Sequence, residues 1–175
     1  FHMVQMKLSF DNINSDESLY VRDADGVYQV ATAAQVLAGA RKAADSLALP
    51  GQQFSSPQVV KDFLVAKLAG IEHEVFGVIF TDSQHRLIAY KEMFSGTIDA
   101  ASVYPREIVK TALRLNASAL IFTHNHPSGI ASPSEADKRL TARLKEALSL
   151  IDTRVLDHII VAGSSTLSFA EHGLL

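Results

Sequence analysis

The chain has 175 residues, of which 47% are hydrophobic and 20% charged, as in an ordinary globular domain with a substantial core. Its net charge of −3 and pI near 6.2 do not favour general binding to nucleic acid, which needs a basic surface. The absence of cysteine excludes disulfides and thiolate metal sites. A zinc site could therefore be built only from His, Asp and Glu.

The amino-terminal residues carry no visible targeting pattern. Phe1 cannot initiate translation, so we expect the first residues to be a cloning remnant, with Met3 or Met6 as the natural start. No basic stretch followed by an apolar one indicates export, and no apolar run approaches the ~18 residues that span a bilayer. We expect a cytoplasmic protein that has no membrane partner.

The first 52 residues are predicted to form a β-hairpin followed by a helix. Residues 18–22 and 27–30 alternate as strands around an Asp-Gly turn, and residues 32–49 follow as an alanine-rich helix. A two-stranded hairpin is marginally stable alone. We therefore expect residues 1–52 to form an extension that packs on residues 53–175 or mediates self-association into a homo-oligomer.

The remaining chain alternates helices with short apolar strands. The predicted helices are residues 57–68, 105–116 and 133–151, and the predicted strands are residues 75–80, 87–90, 119–122 and 159–161. The first two of these strands flank a turn at residues 82–84 and are expected to pair in antiparallel fashion. Strands interleaved with helices indicate an α/β domain with a mixed sheet.

The segment whose residues could perform chemistry is Thr-His-Asn-His-Pro-Ser-Gly at residues 123–129, directly after a predicted strand. Because side chains two apart in an extended chain point the same way, His124 and His126 can present two imidazoles to one point. A helix that begins just beyond the turn can bring Asp137 back beside them. Two imidazoles and a carboxylate are a known ligand set for catalytic zinc. An Asp early in a helix is also favoured by the helix dipole alone, so spacing leaves the metal site and a purely structural interpretation both open.

The pattern resembles a known motif. The spacing His-x-His, seven residues, Ser134, two residues, Asp137 is similar to the JAMM motif of the MPN+ metalloproteases. Four segments resemble the bacterial RadC family more narrowly: HNHPSG at 124–129, PSEAD at 133–137, DHIIV at 157–161 and SFAEHGLL at 168–175. The resemblance covers roughly residues 56–175. It implies a JAMM/MPN-type (cytidine-deaminase-like) α/β fold, with helices flanking a curved mixed sheet, and one zinc ion held by His124, His126 and Asp137.

The resemblance also implies an upstream glutamate that acts as general acid and base. Glu74 lies just before the predicted strand 75–80 and is our candidate, with Glu72 as its competitor. Either glutamate could instead be a solvated charge. The pair His73-Glu74 does not begin an HExxH zincin motif, because Gly77 occupies the position of the second histidine.

Four further polar positions receive an expected role. Ser134 matches the family's serine, which holds and polarises the substrate carbonyl, and it also suits a helix N-cap. Asn125, between the two histidines, is expected to point away from them and fix the loop. Asp157 and His158 belong to the RadC-like pattern, and we expect them to support the site structurally rather than coordinate metal.

The resemblance favours a zinc-dependent metallopeptidase or isopeptidase that acts on a protein or peptide. A DNA-repair role is the first alternative, since the RadC family carries that label. The family's usual amino-terminal helix-hairpin-helix module, a DNA-binding element, is not recognisable in residues 1–50, and the overall charge does not favour DNA binding. Four basic residues of one helix are expected to form its solvated face: Lys138, Arg139, Arg143 and Lys145. The second alternative, a non-catalytic MPN scaffold, conflicts with retention of the motif.

Overall fold

The structure is a computed structural model that describes residues 18–54, 56–96 and 102–175. The predicted starts at Met3 and Met6 lie outside these residues. The chain divides into two compact units, and the boundary falls between Val36 and Leu37. The predicted boundary between residues 52 and 53 stays a prediction.

The described part of the first unit contains the predicted hairpin. Strand β1 (Tyr20–Arg22) pairs in antiparallel register with β2 (Tyr28–Val30). Between them, the carboxylate of Asp23 accepts hydrogen bonds from the backbone N–H groups of Asp25 and Val27, which closes the turn. Gly26 adopts a φ of 86°, a conformation that glycine tolerates best. Helix α1 (Ala33–Leu47) begins after this hairpin.

In its described residues, the second unit contains a five-stranded mixed sheet and three further helices. In chain order, the elements are α2 (Pro57–Leu68), β3 (Val75–Thr81), β4 (Leu87–Ser95), α3 (Pro105–Leu115), β5 (Ala119–Asn125), α4 (Glu135–Ser149), β6 (Arg154–Ala162) and β7 (Ser165–Ser168). The strand order is β4-β3-β5-β6-β7, in which only β5 and β6 are parallel. The predicted α/β fold with a mixed sheet is confirmed.

The two faces of this sheet are covered by different helices. Along β3, Val75 and Ile79 belong to a core cluster with residues of α1 and α2, whereas Phe76, Val78 and Phe80 belong to a second cluster with residues of α3 and α4. This alternation follows the two-residue period of a strand. Both faces of β3 and β5 are therefore buried, which explains their nearly continuous apolar sequences.

Several boundaries differ from the prediction. Strand β5 runs through Asn125 rather than ending at Phe122, so His124 lies within the sheet. Strand β7 was not predicted, because its four residues, three of them Ser or Thr, carry little strand pattern. Helix α4 ends at Ser149, although the apolar periodicity extends to Ile151. Among the described residues, no helix is long and apolar enough to cross a membrane.

Candidate metal centre

The candidate site lies where β5 ends. Strand β3 is antiparallel to β5, with Phe76 opposite His124, so the residue before β3 lies next to the end of β5. The loop after β5 then leads into α4, whose first turn returns to the same place. This topology explains how Glu74, His126 and Asp137 come together although they are distant in sequence.

The two predicted histidine ligands are in contact. The Nε2 atoms of His124 and His126 are 2.8 Å apart. His124 is 2% exposed within the sheet, while the side chain of His126 is 18% exposed just beyond it. The spacing of two residues thus brings both imidazoles to one point, one inside the fold and one at its surface.

The carboxylate of Asp137 lies beside both imidazoles. Its Oδ1 is 3.4 Å from Nε2 of His124, and its Oδ2 is 3.7 Å from Nε2 of His126. A capping box holds it there: the backbone N–H and the hydroxyl of Ser134 both donate to Oδ2 at 2.7 Å, and the N–H of Asp137 donates to the Ser134 hydroxyl at 3.1 Å. Ser134 is therefore the N-cap of α4, one of its two expected roles, and its catalytic role stays a prediction.

Glu74 approaches the same histidines. Potential ligand atoms of Glu74, His124 and His126 all lie within 4.8 Å of one another. Glu74 is half-buried, whereas Glu72 is exposed and does not belong to this group of described residues. The geometry thus favours Glu74 over its competitor, although its chemical role stays a prediction.

The side chain of Asn125 fixes the backbone on both sides of Glu74. Its Oδ1 accepts a hydrogen bond from the N–H of Val75 at 2.8 Å, and its Nδ2 donates to the carbonyls of His73 at 2.9 Å and Ile71 at 3.3 Å. Asn125 was expected to fix its own loop, but these contacts hold the segment before β3 instead. The strand that carries His124 thereby also holds the segment that carries Glu74.

A second buried histidine lies behind His124. His158 in β6 is 0% exposed, and its Nε2 is 2.8 Å from Nδ1 of His124. Its Nδ1 is 2.6 Å from Oγ1 of Thr141 in α4. The contacts of His158 fit the expected supporting role. Thr141 was missed, because a single threonine within an amphipathic helix carries no sequence signal for such a contact.

Asp157 supports the carboxyl-terminal segment. Its carboxylate accepts hydrogen bonds from the Ser168 hydroxyl at 2.5 Å, the N–H of Ala170 at 2.9 Å and the N–H of His158 at 2.7 Å. The carboxylate therefore links β6 to the end of β7. These partners agree with the expectation that Asp157 is structural.

Burial keeps the two inner histidines neutral at physiological pH. Desolvation lowers the pKa of His124 to about 4, because the opposing effect of nearby Asp137 is smaller and His126 lowers the pKa further. Desolvation also holds the pKa of His158 well below its usual value, with smaller contributions from His124 and His126. Metal binding requires neutral imidazoles, so this environment suits a ligand.

The donor atoms of the site fit a bound zinc ion. The Nδ1 of His126 is 2.7 Å from the carbonyl oxygen of Ile130. Because a carbonyl only accepts, this nitrogen carries the hydrogen, and a neutral ring then directs an Nε2 lone pair towards His124. Lone pairs that converge on one another and on a carboxylate require a cation between them, either a proton or a metal ion. Tetrahedral zinc, with Zn–N distances of ~2.0–2.1 Å, separates its ligand atoms by about 3.3 Å. The distances to Asp137 are close to this value, whereas the two Nε2 atoms, 2.8 Å apart, would have to separate slightly to bind one ion.

Comparison with known proteins agrees with this description. Residues 54–174 match the family described as the RadC-like JAB domain. The chain is 60% identical over 125 residues to the UPF0758 protein of Vibrio cholerae, an alignment that covers 71% of this chain and 78% of that protein. The UPF0758 proteins of Methylibium petroleiphilum and Leptothrix cholodnii are 58% and 57% identical over 142 and 140 residues, which is 81% and 80% of this chain. The chain spans 64% and 63% of the length of those two relatives.

The mixed sheet, its flanking helices and the histidines at the end of β5 thus define a protein of the JAB class with a possible metal site. Within that class, the chain belongs to the RadC family. The resemblance noted from the four sequence segments is confirmed.

Proposed function

We propose that this chain is a zinc-dependent metallohydrolase that cleaves a peptide or isopeptide bond in a protein or peptide substrate. The supporting observation is the convergence of the Nε2 atoms of His124 and His126 with the carboxylate of Asp137. Membership of the JAB class gives this donor set its interpretation as a hydrolytic centre.

Two carboxylates compete for the third ligand position. The oxygens of Asp137 lie 3.4 and 3.7 Å from the two Nε2 atoms, near the spacing of about 3.3 Å expected between ligands of one tetrahedral zinc. Ligand atoms of Glu74 also lie within 4.8 Å of those of the histidines, so the JAMM-like spacing decides between the two carboxylates: it matches Asp137 to the ligand position and Glu74 to the upstream glutamate. We therefore assign Asp137 as the ligand and Glu74 as the general acid and base.

The residues would share the work of hydrolysis as follows. A bound zinc ion supplies Lewis acidity, which lowers the pKa of water towards ~7 and stabilises charge on a carbonyl oxygen. The carboxylate of Glu74 accepts the proton of the attacking water and then delivers it to the leaving amine. The hydroxyl of Ser134 turns from Asp137 to donate to the carbonyl oxygen, where negative charge develops.

Metal stoichiometry tests the proposal directly. Protein freed of any affinity tag is stripped with a chelator, supplied with zinc and analysed for metal after removal of the excess. We expect one zinc per chain, and we expect His126→Ala and Asp137→Asn to lose it. A parent protein that takes up no zinc would contradict the proposal.

Glu74→Gln is the matched control for Asp137→Asn, because both changes replace a carboxylate at the site with an amide. Glu74→Gln should keep one zinc per chain. If Glu74→Gln loses the metal and Asp137→Asn keeps it, the two carboxylates exchange roles, and our assignment is wrong.

A further inference from the structure

A chain of hydrogen bonds runs through the core behind the candidate site. It begins at Nδ1 of His124, passes at 2.8 Å to Nε2 of His158, and continues from Nδ1 of His158 to Oγ1 of Thr141 at 2.6 Å. It ends where Oγ1 of Thr141 lies 2.7 Å from the carbonyl oxygen of Asp137. The hydrogen-bond chain therefore connects two of the proposed ligand residues through His158 and Thr141.

The Asp137 carbonyl, at the α4 end of this series, fixes the direction of these hydrogen bonds. The carbonyl of Asp137 can only accept, so the single hydroxyl hydrogen of Thr141 points to it. The hydroxyl oxygen must then accept from Nδ1–H of His158. A neutral His158 ring has one donor and one acceptor, so its Nε2 accepts from Nδ1–H of His124. This leaves the Nε2 lone pair of His124 facing His126 and Asp137.

The opposite direction is unfavourable. If Thr141 donated to His158, two oxygens 2.7 Å apart, Oγ1 of Thr141 and the Asp137 carbonyl, would have no hydrogen between them. His124 would also carry its hydrogen on Nε2, where it would block a metal ion. The local geometry of α4 thus selects one tautomer in β5.

Aromatic packing holds the His158 ring in place for this role. The centroids of Phe76, Phe122 and Phe169 lie 5.6, 5.9 and 4.8 Å from the centroid of the imidazole. These side chains carry no conventional hydrogen-bonding groups that could compete for the ring nitrogens. The ring is therefore oriented by packing, while its polar contacts are those with His124 and Thr141.

We propose that His158 and Thr141 are positioning residues that lock His124 in the Nδ1–H tautomer, with its Nε2 lone pair directed to the metal. This inference rests on the zinc site proposed above. Partners of this kind behind metal-binding histidines typically account for ~10–100-fold in metal affinity. The contact between His158 and Thr141 also links β6 to α4.

The tautomers can be measured without metal or substrate. Long-range proton–nitrogen NMR spectra of the zinc-free, histidine-labelled protein distinguish the two neutral forms of each ring. We expect the Nδ1–H form for both His124 and His158. In Thr141→Val, which removes the hydroxyl but keeps the shape, we expect the signals of both rings to move towards the Nε2–H form. In Thr141→Ser the hydroxyl remains, and the parent pattern should return.

Zinc affinity provides the second measurement, by competition with a chromogenic chelator. Thr141→Val should bind zinc ~10–100-fold more weakly than the parent, and Thr141→Ser should bind nearly as tightly as the parent. If Thr141→Val does not fold, His158→Leu and His158→Gln take the places of Thr141→Val and Thr141→Ser in this measurement. The glutamine oxygen can accept from Nδ1–H of His124 and should preserve affinity, whereas leucine cannot.

The results separate this inference from the proposed function. An Nε2–H tautomer of His124 in the zinc-free parent would overturn the inference, as would unchanged zinc affinity in Thr141→Val. A parent that shows the expected tautomers but binds no zinc would contradict the metallohydrolase, while the Thr141→Val and Thr141→Ser spectra would still decide whether the hydrogen-bond chain sets the tautomer.

Discussion

Two groups of residues form the candidate site, and they are held in different ways. The sheet side consists of four residues in or next to strands: Glu74, His124, Asn125 and His158. The helix side consists of three residues in the loop after β5 and at the start of α4: His126, Ser134 and Asp137. The sheet side is held by contacts between distant parts of the chain, and the helix side mainly by contacts between residues that are close in sequence.

The hydrogen bonds make the difference plain. Asn125 bonds the backbone of Val75, 50 residues away in sequence, and His124 contacts His158, 34 residues away. On the helix side, His126 contacts a carbonyl four residues later, and Ser134 contacts Asp137 three residues later. The sheet side therefore depends on the whole sheet being folded. The side-chain contacts of the helix side are mostly local, although the backbone N–H of His126 also donates to the carbonyl of Val161 in β6 at 2.8 Å.

The largest expected effect concerns Glu74 on the sheet side, which we propose as the general acid and base. Glu74→Gln keeps the shape of the side chain but cannot accept a proton. Because general acid–base transfer typically contributes ~10²–10⁴ in rate, hydrolysis should fall by about that factor. A peptide library screen first identifies a substrate, and initial rates of the parent and variant at equal zinc content then measure the loss.

Glu72→Gln is the matched control, since Glu72 lies two residues earlier and is exposed. It should hydrolyse the same substrate at nearly the parent rate. Full activity of Glu74→Gln together with loss in Glu72→Gln would transfer the role to Glu72. Full activity of both variants would contradict a JAMM-type mechanism for this chain.

The next effect is the response of the zinc-free protein to acid, which tests the burial of the sheet side. Burial lowers the pKa of His124 from 6.5 to about 4, so the unfolded chain binds more protons than the folded chain between these values. Stability therefore rises with pH across this window and is lost as the pH falls from about 6.5 to about 4. At ~1.4 kcal/mol per pKa unit, His124 alone accounts for a loss of up to about 3 kcal/mol. His158, whose pKa is also lowered by burial, acts in the same direction.

Urea denaturation of zinc-free protein at several pH values measures this slope. His124→Gln should flatten it, because the titrating group is removed from the sheet. His85→Gln removes an exposed histidine and should leave the slope as in the parent. A parent whose free energy of unfolding does not change between pH 7 and about 4 would show that burial does not lower the pKa of the sheet-side histidines.

The same contrast explains what the sequence could predict. Two parts of the site follow from local rules: Ser134 and Asp137 stand at the spacing of a capping box, and His124 and His126 at the spacing of one strand face. The apolar runs at β3, β5 and β6 were sufficient for the mixed α/β fold, and the JAMM-like spacing indicated which residues would meet. Both kinds of signal lie within short stretches of chain.

The contacts of the sheet side were harder to predict from the sequence, because they depend on strand order. No local pattern pairs His158 with His124; that contact follows from the parallel pairing of β5 with β6, which brings Phe122 opposite His158. Thr141 reaches the same ring only because α4 packs on that face of the sheet. The resemblance indicated that Asp157 and His158 belong to a recurring segment, but it could not indicate their partners.

The smallest expected effect concerns Ser134 and separates its two roles on the helix side. Ser134→Ala removes the oxygen that accepts from the N–H of Asp137, so the protein should lose ~1 kcal/mol of stability, as helix caps usually do. Ser134→Gly also lacks the hydroxyl, but glycine is a tolerated N-cap and should cost only a few tenths of a kcal/mol. If the hydroxyl acts on the substrate carbonyl, the two variants should lose hydrolysis equally, and by less than Glu74→Gln, although their stabilities differ. Denaturation midpoints and initial rates measured on the same preparations test this expectation. Activity that falls in Ser134→Ala but stays at the parent level in Ser134→Gly would mean that Ser134 only caps α4, and that the helix side contributes metal ligands without a catalytic group.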